Sequence, residues 1–257
     1  MDEIAELHRL AGWAVAAVFD GPQAEIRRTA GGTLALSGEA VADLNMLVLS
    51  APSTAAARFL AETMALVDAR DLPMLAMAPP DVGAALAPEA TRLGLEAAGT
   101  IPLMVLRGAP RKKPLAACRV ERALGAEGRG IVTELMAAAF SLPADPVDRA
   151  LAAMFTDTAS AVTYVAHADG RPQSSVTVTR AGATAGIWNM ATPPERQGRG
   201  MGRALLTGVL EQLVAEGVAR FYLFATPAGR PLYESLGFET LADDPVWVKG
   251  HSTQASG

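Results

Sequence analysis

Cysteine is almost missing from this chain: Cys118 is the single one among 257 residues. No internal disulfide can form, so the core must hold the fold, and a lone buried thiol in a reducing compartment is the expectation. Histidine is nearly as scarce. His8, His167 and His251 stand far apart without ligand spacing, which excludes a zinc site built on His and Cys, and no metal is expected. Positive charge is not in excess either, because 22 Lys and Arg face 27 Asp and Glu for a net charge of -5. That balance lacks the electrostatic footprint of a nucleic-acid or anionic-membrane partner, and neither is expected. Every apolar run is broken by charge, Pro or Gly short of the ~20 residues of a membrane span. The opening MDEIAELHRL has two acids in its first three residues where a secretory signal has a basic stretch. The protein is expected to be soluble and cytoplasmic.

What is abundant is hydrophobic residue, half of the chain, against 19% charged; with a mean hydropathy of +0.22 this excludes a disordered chain. The length suits one large domain or two small ones. The sharpest change of composition is RGAPRKKPLAACRVERA, where Arg107, Arg111, Lys112 and Lys113 crowd around Pro110 and Pro114, and it reads as a linker. The chain also resembles itself: a shift of 143 places Leu93 on Leu236, Gly94 on Gly237, Glu96 on Glu239, Pro102 on Pro245 and Val105 on Val248. A shift of 144 places Asn45-Met46 on Asn189-Met190. Two copies of one element are therefore expected, with a first lobe at residues 1–112, a second at 113–250 and a disordered tail at 251–257.

The second half carries the clearer pattern. Residues 161–168 and 175–179 alternate in Val, Thr and Tyr around Asp169-Gly170, which predicts a hairpin. A third strand is predicted over 184–191. Leu206, Val209, Leu210, Leu213 and Val214 then fall at i, i+3, i+4, i+7 and i+8, one face of a helix that Gly217 can end. A strand over 220–225, a short helix over 230–236 stopped by Gly237, and a last strand over 238–249 complete the order.

Between the third strand and the long helix stands Gln197-Gly198-Arg199-Gly200-Met201-Gly202. Glycines at alternate positions let the backbone turn closely and bare its N–H groups, and the helix that starts there adds positive dipole potential. Such a turn can cradle an anion. The dinucleotide fingerprint fails because Arg203 stands where its third glycine belongs, and no Gly-Lys-Ser/Thr makes a P-loop.

The segment resembles the acyl-CoA-binding signature of the GNAT superfamily of N-acetyltransferases, Gln/Arg-x-x-Gly-x-Gly/Ala, with Gln197, Gly200 and Gly202 at its defining positions. Tyr233, followed by Gly237-Phe238, matches a second element of the family, and the resemblance covers Val120 to Lys249. It implies an α/β (α+β) fold of two GNAT-like lobes, each a mixed, mostly antiparallel twisted sheet flanked by helices. The first lobe keeps Leu93 to Glu96 but has SAPSTAAARF in place of the glycine turn, so it resembles a degenerate copy without a cofactor site.

The resemblance further implies acetyl transfer from acetyl-CoA to a primary amine, with no metal. Met190, Ala191 and Thr192 would pair with the pantetheine and offer an oxyanion donor, and Gln197, Gly198, Arg199, Gly200, Met201 and Gly202 would hold the pyrophosphate, aided by Arg199 or Arg203. Tyr233 would be the general acid for the leaving thiolate. Thr226 stands where the family often has a cofactor-contacting Asn. No acid lies on the strand before the turn, so the base is unassigned; Asp145, Asp148, Asp157 and Glu195 read as solvated or capping carboxylates, and either Trp188 or Asn189 is a candidate to face the acceptor. A small-molecule amine is the expected acceptor, with a monomer or homodimer as the assembly. The alternative is a sensor that binds acyl-CoA without transfer.

Overall fold

The computed structural model describes residues 2–19, 21–50, 53–112, 115–156 and 159–250. The expected tail at 251–257, Asp157, and Lys113 and Pro114 of the expected linker lie outside the described residues. The chain divides into two compact units, one of residues 1–103 together with 241 onward, the other Met104–Thr240. The boundaries thus fall at 103/104 and 240/241 rather than at 112 and 250.

The first unit begins with α1 (Glu3–Val18), which the Asp2 side chain caps by accepting from the Ile4 N–H at 3.3 Å. β1 (Glu25–Thr29), β2 (Gly32–Leu36) and β3 (Asn45–Leu49) form an antiparallel meander. α2 (Ser53–Arg70) then returns the chain to β4 (Met74–Met77), which lies parallel to β3. α3 (Pro80–Arg92) leads into β5 (Glu96–Arg107), whose residues through Leu103 belong here. The strand beside β4 comes from the far end of the chain: residues 246–249 run antiparallel to Met77–Met74. Trp247 is buried in the same core as Leu47, Phe59, Met64 and Leu86. Deeper still, His8 and Asp244 meet at 2.8 Å with both side chains fully buried, and His8 Nδ1 lies 2.8 Å from the Ile4 carbonyl. A carbonyl only accepts, so Nδ1 carries a proton, and one further proton is shared between Nε2 and the carboxyl.

The second unit opens with Met104–Arg107 of β5 and continues with β6 (Arg119–Arg122), α4 (Gly125–Phe140) and α5 (Ala144–Ala150). The linker reading is therefore corrected at its end, where Arg119–Arg122 is a strand. β7 (Ala161–Ala168), β8 (Arg171–Ala181) and β9 (Thr184–Ala191) extend an antiparallel meander from β6. Asp169 and Gly170 both adopt positive φ, 52° and 71°, the two-residue turn whose twist matches paired strands. α6 (Met201–Ala215) crosses to β10 (Arg220–Phe224), parallel to β9, and α7 (Arg230–Leu236) leads to β11 (Glu239–Lys249). Beside β10 lies β5. Leu205, Leu206, Val209, Leu210 and Leu213 of α6 pack on Val176, Val178, Ile187, Phe221 and Leu223 of the sheet; burying each such leucine is worth about 1.5–3 kcal/mol.

Both units share the succession strand, helix, parallel strand, helix. Gly94 after α3 and Gly237 after α7 both take left-handed φ, 80° and 102°, the conformation that ends a helix at low cost for glycine. The self-similarity of the sequence has this physical counterpart.

Candidate active site

β9 and β10 part company. Their ladder runs through Arg220↔Thr184, Phe221↔Ala185 and Tyr222↔Gly186, yet β9 continues to Ala191 and β10 to Phe224. On the opposite side β8 stays with β9, but Thr177 faces Trp188 while Ser175 faces Ala191. Two steps on β8 therefore oppose three on β9, which is a β-bulge. Asn189 absorbs the extra residue with φ 48°. The bulge bends the strand away from β10 and leaves backbone groups of Ile187–Ala191 outside that ladder.

The strand end is fastened beyond the bulge. Ser174 Oγ donates to the Ala191 carbonyl at 2.8 Å and lies 2.7 Å from Thr192 Oγ1. Gln197 Nε2 donates to the Thr192 carbonyl at 3.0 Å, which folds the connecting turn back on the strand. Gly198 and Gly200 take φ 73° and 77°, and Gly200 is the N-cap residue of α6. An L side chain is strained at these angles, which explains those two glycines. Gly202 sits in close quarters instead: a Cβ there would stand 3.0 Å from Met190 Cε and 3.2 Å from Thr192 Oγ1. Met201 lies half-buried beside it. The first N–H groups of α6 have no acceptors within the helix, and with the dipole behind them they form a site for a multiply charged anion.

The two arginines of the turn differ. Arg199 is exposed, and its Nη2 donates to the Glu195 carbonyl at 3.2 Å. Arg203, on the first turn of α6, is half-buried with Nη1 buried and without a hydrogen-bond partner. An unpaired buried guanidinium nitrogen is costly unless an anion meets it.

Tyr233 is buried on α7, its ring 5.9 Å from that of Phe238 in an edge-on arrangement. Burial pushes its hydroxyl pKa up to about 12, so the group is a neutral donor across the physiological range. The Thr226 hydroxyl accepts from the Gly229 N–H at 3.2 Å and so caps the start of α7, keeping a single proton to donate elsewhere. Trp188 Nε1 donates to Thr179 Oγ1 at 2.9 Å, and its ring meets Tyr222 edge-on at 6.0 Å and Phe224 at 6.1 Å. Of the carboxylates, Asp148 pairs with Arg129 at 2.8 Å, and Asp145 and Glu195 are exposed. Cys118 is half-buried, and burial raises its thiol pKa. Among the described residues no cluster of three or more His, Cys, Asp or Glu is placed to hold a metal ion, and no helix is long and apolar enough to cross a membrane.

Sequence reasoning missed the bulge, the orphaned nitrogen of Arg203 and the capping role of Thr226. Only the second had a visible signal, a basic residue one turn into a helix that opens on glycines.

Residues 159–240 match the family model described as the acetyltransferase (GNAT) domain. The matched stretch lies within the second unit. An uncharacterized N-acetyltransferase ycf52 of Gracilaria tenuistipitata var. liui is 39% identical over 64 residues, 25% of this chain and 34% of that protein. The [ribosomal protein bS18]-alanine N-acetyltransferase of Escherichia coli (strain K12) is 42% identical over 55 residues, 20% of this chain and 37% of that protein. The chain thus spans about a third of the length of these relatives. Whole-chain similarity is one of fold: a GCN5-related N-acetyltransferase from Kribbella flavida superposes with a TM-score of 0.69 at 17% identity, covering 98% of this chain and 97% of that one. A tandem GNAT protein from the clavulanic acid biosynthesis pathway gives 0.59 at 16%, covering 95% and 93%.

Proposed function

We propose that this protein transfers the acetyl group of acetyl-CoA to a primary amine, using the second unit alone. The observation that carries the reading is the juxtaposition of the parted strands β9 and β10 with a glycine turn that opens α6. The backbone N–H groups of Gln197 to Gly202 hold the pyrophosphate, and Arg203, with its unpartnered buried Nη1, supplies the charge-assisted bond more readily than the tethered Arg199. Met190, Ala191 and Thr192 align the pantetheine arm along the freed edge of β9. Thr226 contributes at most its one remaining proton. Acetyl-CoA supplies an activated acyl group on a thiol that leaves readily.

The chain's own groups then act on charge and protons. In the transfer a C–N bond forms, the C–S bond breaks, the amine gives up a proton and the thiolate takes one. A backbone N–H at the bulge stabilises the negative charge that builds on the carbonyl oxygen. Tyr233, kept protonated by burial, gives its proton to the departing sulfur. Neither β9 nor β10 contains an acid, so the amine sheds its proton to water before it attacks. The acceptor is proposed to be a cationic small molecule, in keeping with the net charge of -5; the named substrate of the Escherichia coli relative is a protein alanine.

The first unit serves as a scaffold without a cofactor. It has no glycine turn before α2, and Gly31 packs close to the first turn of that helix, where a Cβ would lie 2.3 Å from the Ala55 carbonyl oxygen. A screen of small amines, dipeptides and a lysine peptide for release of CoA thiol tests the reading. Turnover with one class of amine is expected; binding of acetyl-CoA with no turnover on any class would favour the sensor.

A further inference from the structure

Four residues other than glycine adopt positive φ among the described residues: Asp71, Ser141, Asp169 and Asn189. The first three sit where helices or strands end and the chain turns. Asn189 alone lies inside a strand, at the bulge where β9 leaves β10. Asparagine tolerates the left-handed region better than most residues, but glycine meets it at less cost and is used for it throughout this chain. The backbone therefore does not explain the side chain.

The side chain has its own peculiarity. Asn189 Nδ2 is buried and has no hydrogen-bond partner in the folded chain. Ser175 Oγ, on the residue that faces Ala191 across the same bulge, is buried and unpartnered as well. Buried polar groups are nearly always satisfied, and one left unpaired needs an explanation. Asn189 is the one of the two that sits on β9 itself, the strand that leaves β10. An amide N–H₂ only donates, so its partner must be an oxygen or another acceptor.

We propose that Asn189 Nδ2 donates a hydrogen bond to the thioester carbonyl oxygen of acetyl-CoA, a side-chain donor beside the backbone N–H of the same bulge. This rests on the acetyl-transfer reading. The carbonyl oxygen is an acceptor, it gains negative charge in the transfer, and a donor fixed in a water-poor site stabilises that charge strongly. It is also the oxygen that distinguishes acetyl-CoA from CoA, and a donor there makes the site prefer the loaded form.

Two substitutions separate this role from a backbone role. Asn189→Gly keeps the positive φ and removes the amide; Asn189→Asp keeps the shape and replaces the donor with an acceptor. Binding of acetyl-CoA and of CoA is measured separately by calorimetry, with thermal unfolding as a check on the fold and CoA release as the rate. The expected result is unchanged CoA affinity in both variants, loss of the wild-type preference for acetyl-CoA, and transfer slowed about 10²-fold in Asn189→Gly and further in Asn189→Asp. Wild-type preference and rate in Asn189→Gly would overturn the proposal, as would equal loss of CoA and acetyl-CoA binding in both variants, which marks a structural residue. Wild-type protein that binds acetyl-CoA but acetylates no amine defeats the transferase reading alone, because the binding preference still decides Asn189. Wild-type protein that binds neither form overturns both.

Discussion

Tyr233 and Asp244 show how burial sets the behaviour of single groups in this protein. The Tyr233 hydroxyl is pushed up to about 12 by burial, so it keeps its proton across the physiological range. Tyr233→Phe is expected to slow transfer about 10²-fold or more with acetyl-CoA affinity within twofold of wild type; equal rates would remove the acid role. Asp244 is raised above the ordinary carboxyl range, chiefly by desolvation, against the opposing hydrogen bond from His8. The folded chain therefore binds this proton more tightly than the unfolded chain. Its contribution is fully present below the ordinary carboxyl pKa and declines as pH rises through the folded value. Asp244→Asn should flatten the pH dependence of thermal stability above about pH 4. Asp244→Ala, by removing the carboxyl that His8 Nε2 meets in the buried interior, should cost about 3–5 kcal/mol, much of it recovered when His8 is also replaced by leucine.

At the level of elements, much of the second unit was legible. The hairpin turn at Asp169-Gly170, the limits of β9, the stop at Gly217 and the helix over 230–236 follow from local chemistry: turn residues, alternation and glycine caps act within a few positions. α4 was illegible because Gly125, Gly128 and Gly130 are poor helix formers. At least one is there for packing, since a Cβ on Gly128 would lie 2.7 Å from the Ala123 carbonyl carbon. The bulge at Asn189 was hidden because one asparagine within a strand pattern does not by itself show that an extra residue is inserted there. The destination of β11 was hidden for a third reason: pairing between residues 246–249 and Met74–Met77 is set by the whole fold and leaves no local trace. A chain ending at Thr240 loses Trp247, Val248 and Asp244 from the first unit's interior. Such a truncation should lose the cooperative unfolding and protease resistance of the first unit, although the residues removed are the last in sequence. Wild-type melting of the truncated chain would contradict the assignment.

The whole molecule uses one succession of elements twice. Both units carry the strand, helix, parallel strand, helix succession, and glycines at the same repeat position, Gly94 and Gly237, end their second helices in left-handed conformation. The units differ at the start of the long helix. In the second, Gly198, Gly200 and Gly202 form the turn beside a bulged strand; the first has no glycine between Ser50 and Arg58, and Gly31 packs close to Ala55 and Ala56 on the first turn of α2. This difference predicts a single acetyl-CoA site per chain, and stoichiometry by calorimetry should be one. The most direct test of the account is thermal unfolding with acetyl-CoA in wild type and in Gly200→Val. At 100 times its dissociation constant the ligand should add about 2.7 kcal/mol to the wild type and nothing to the variant, whose valine cannot adopt φ 77° without strain. Equal stabilisation of the two proteins would place the cofactor elsewhere, and no stabilisation of the wild type would remove it from the account.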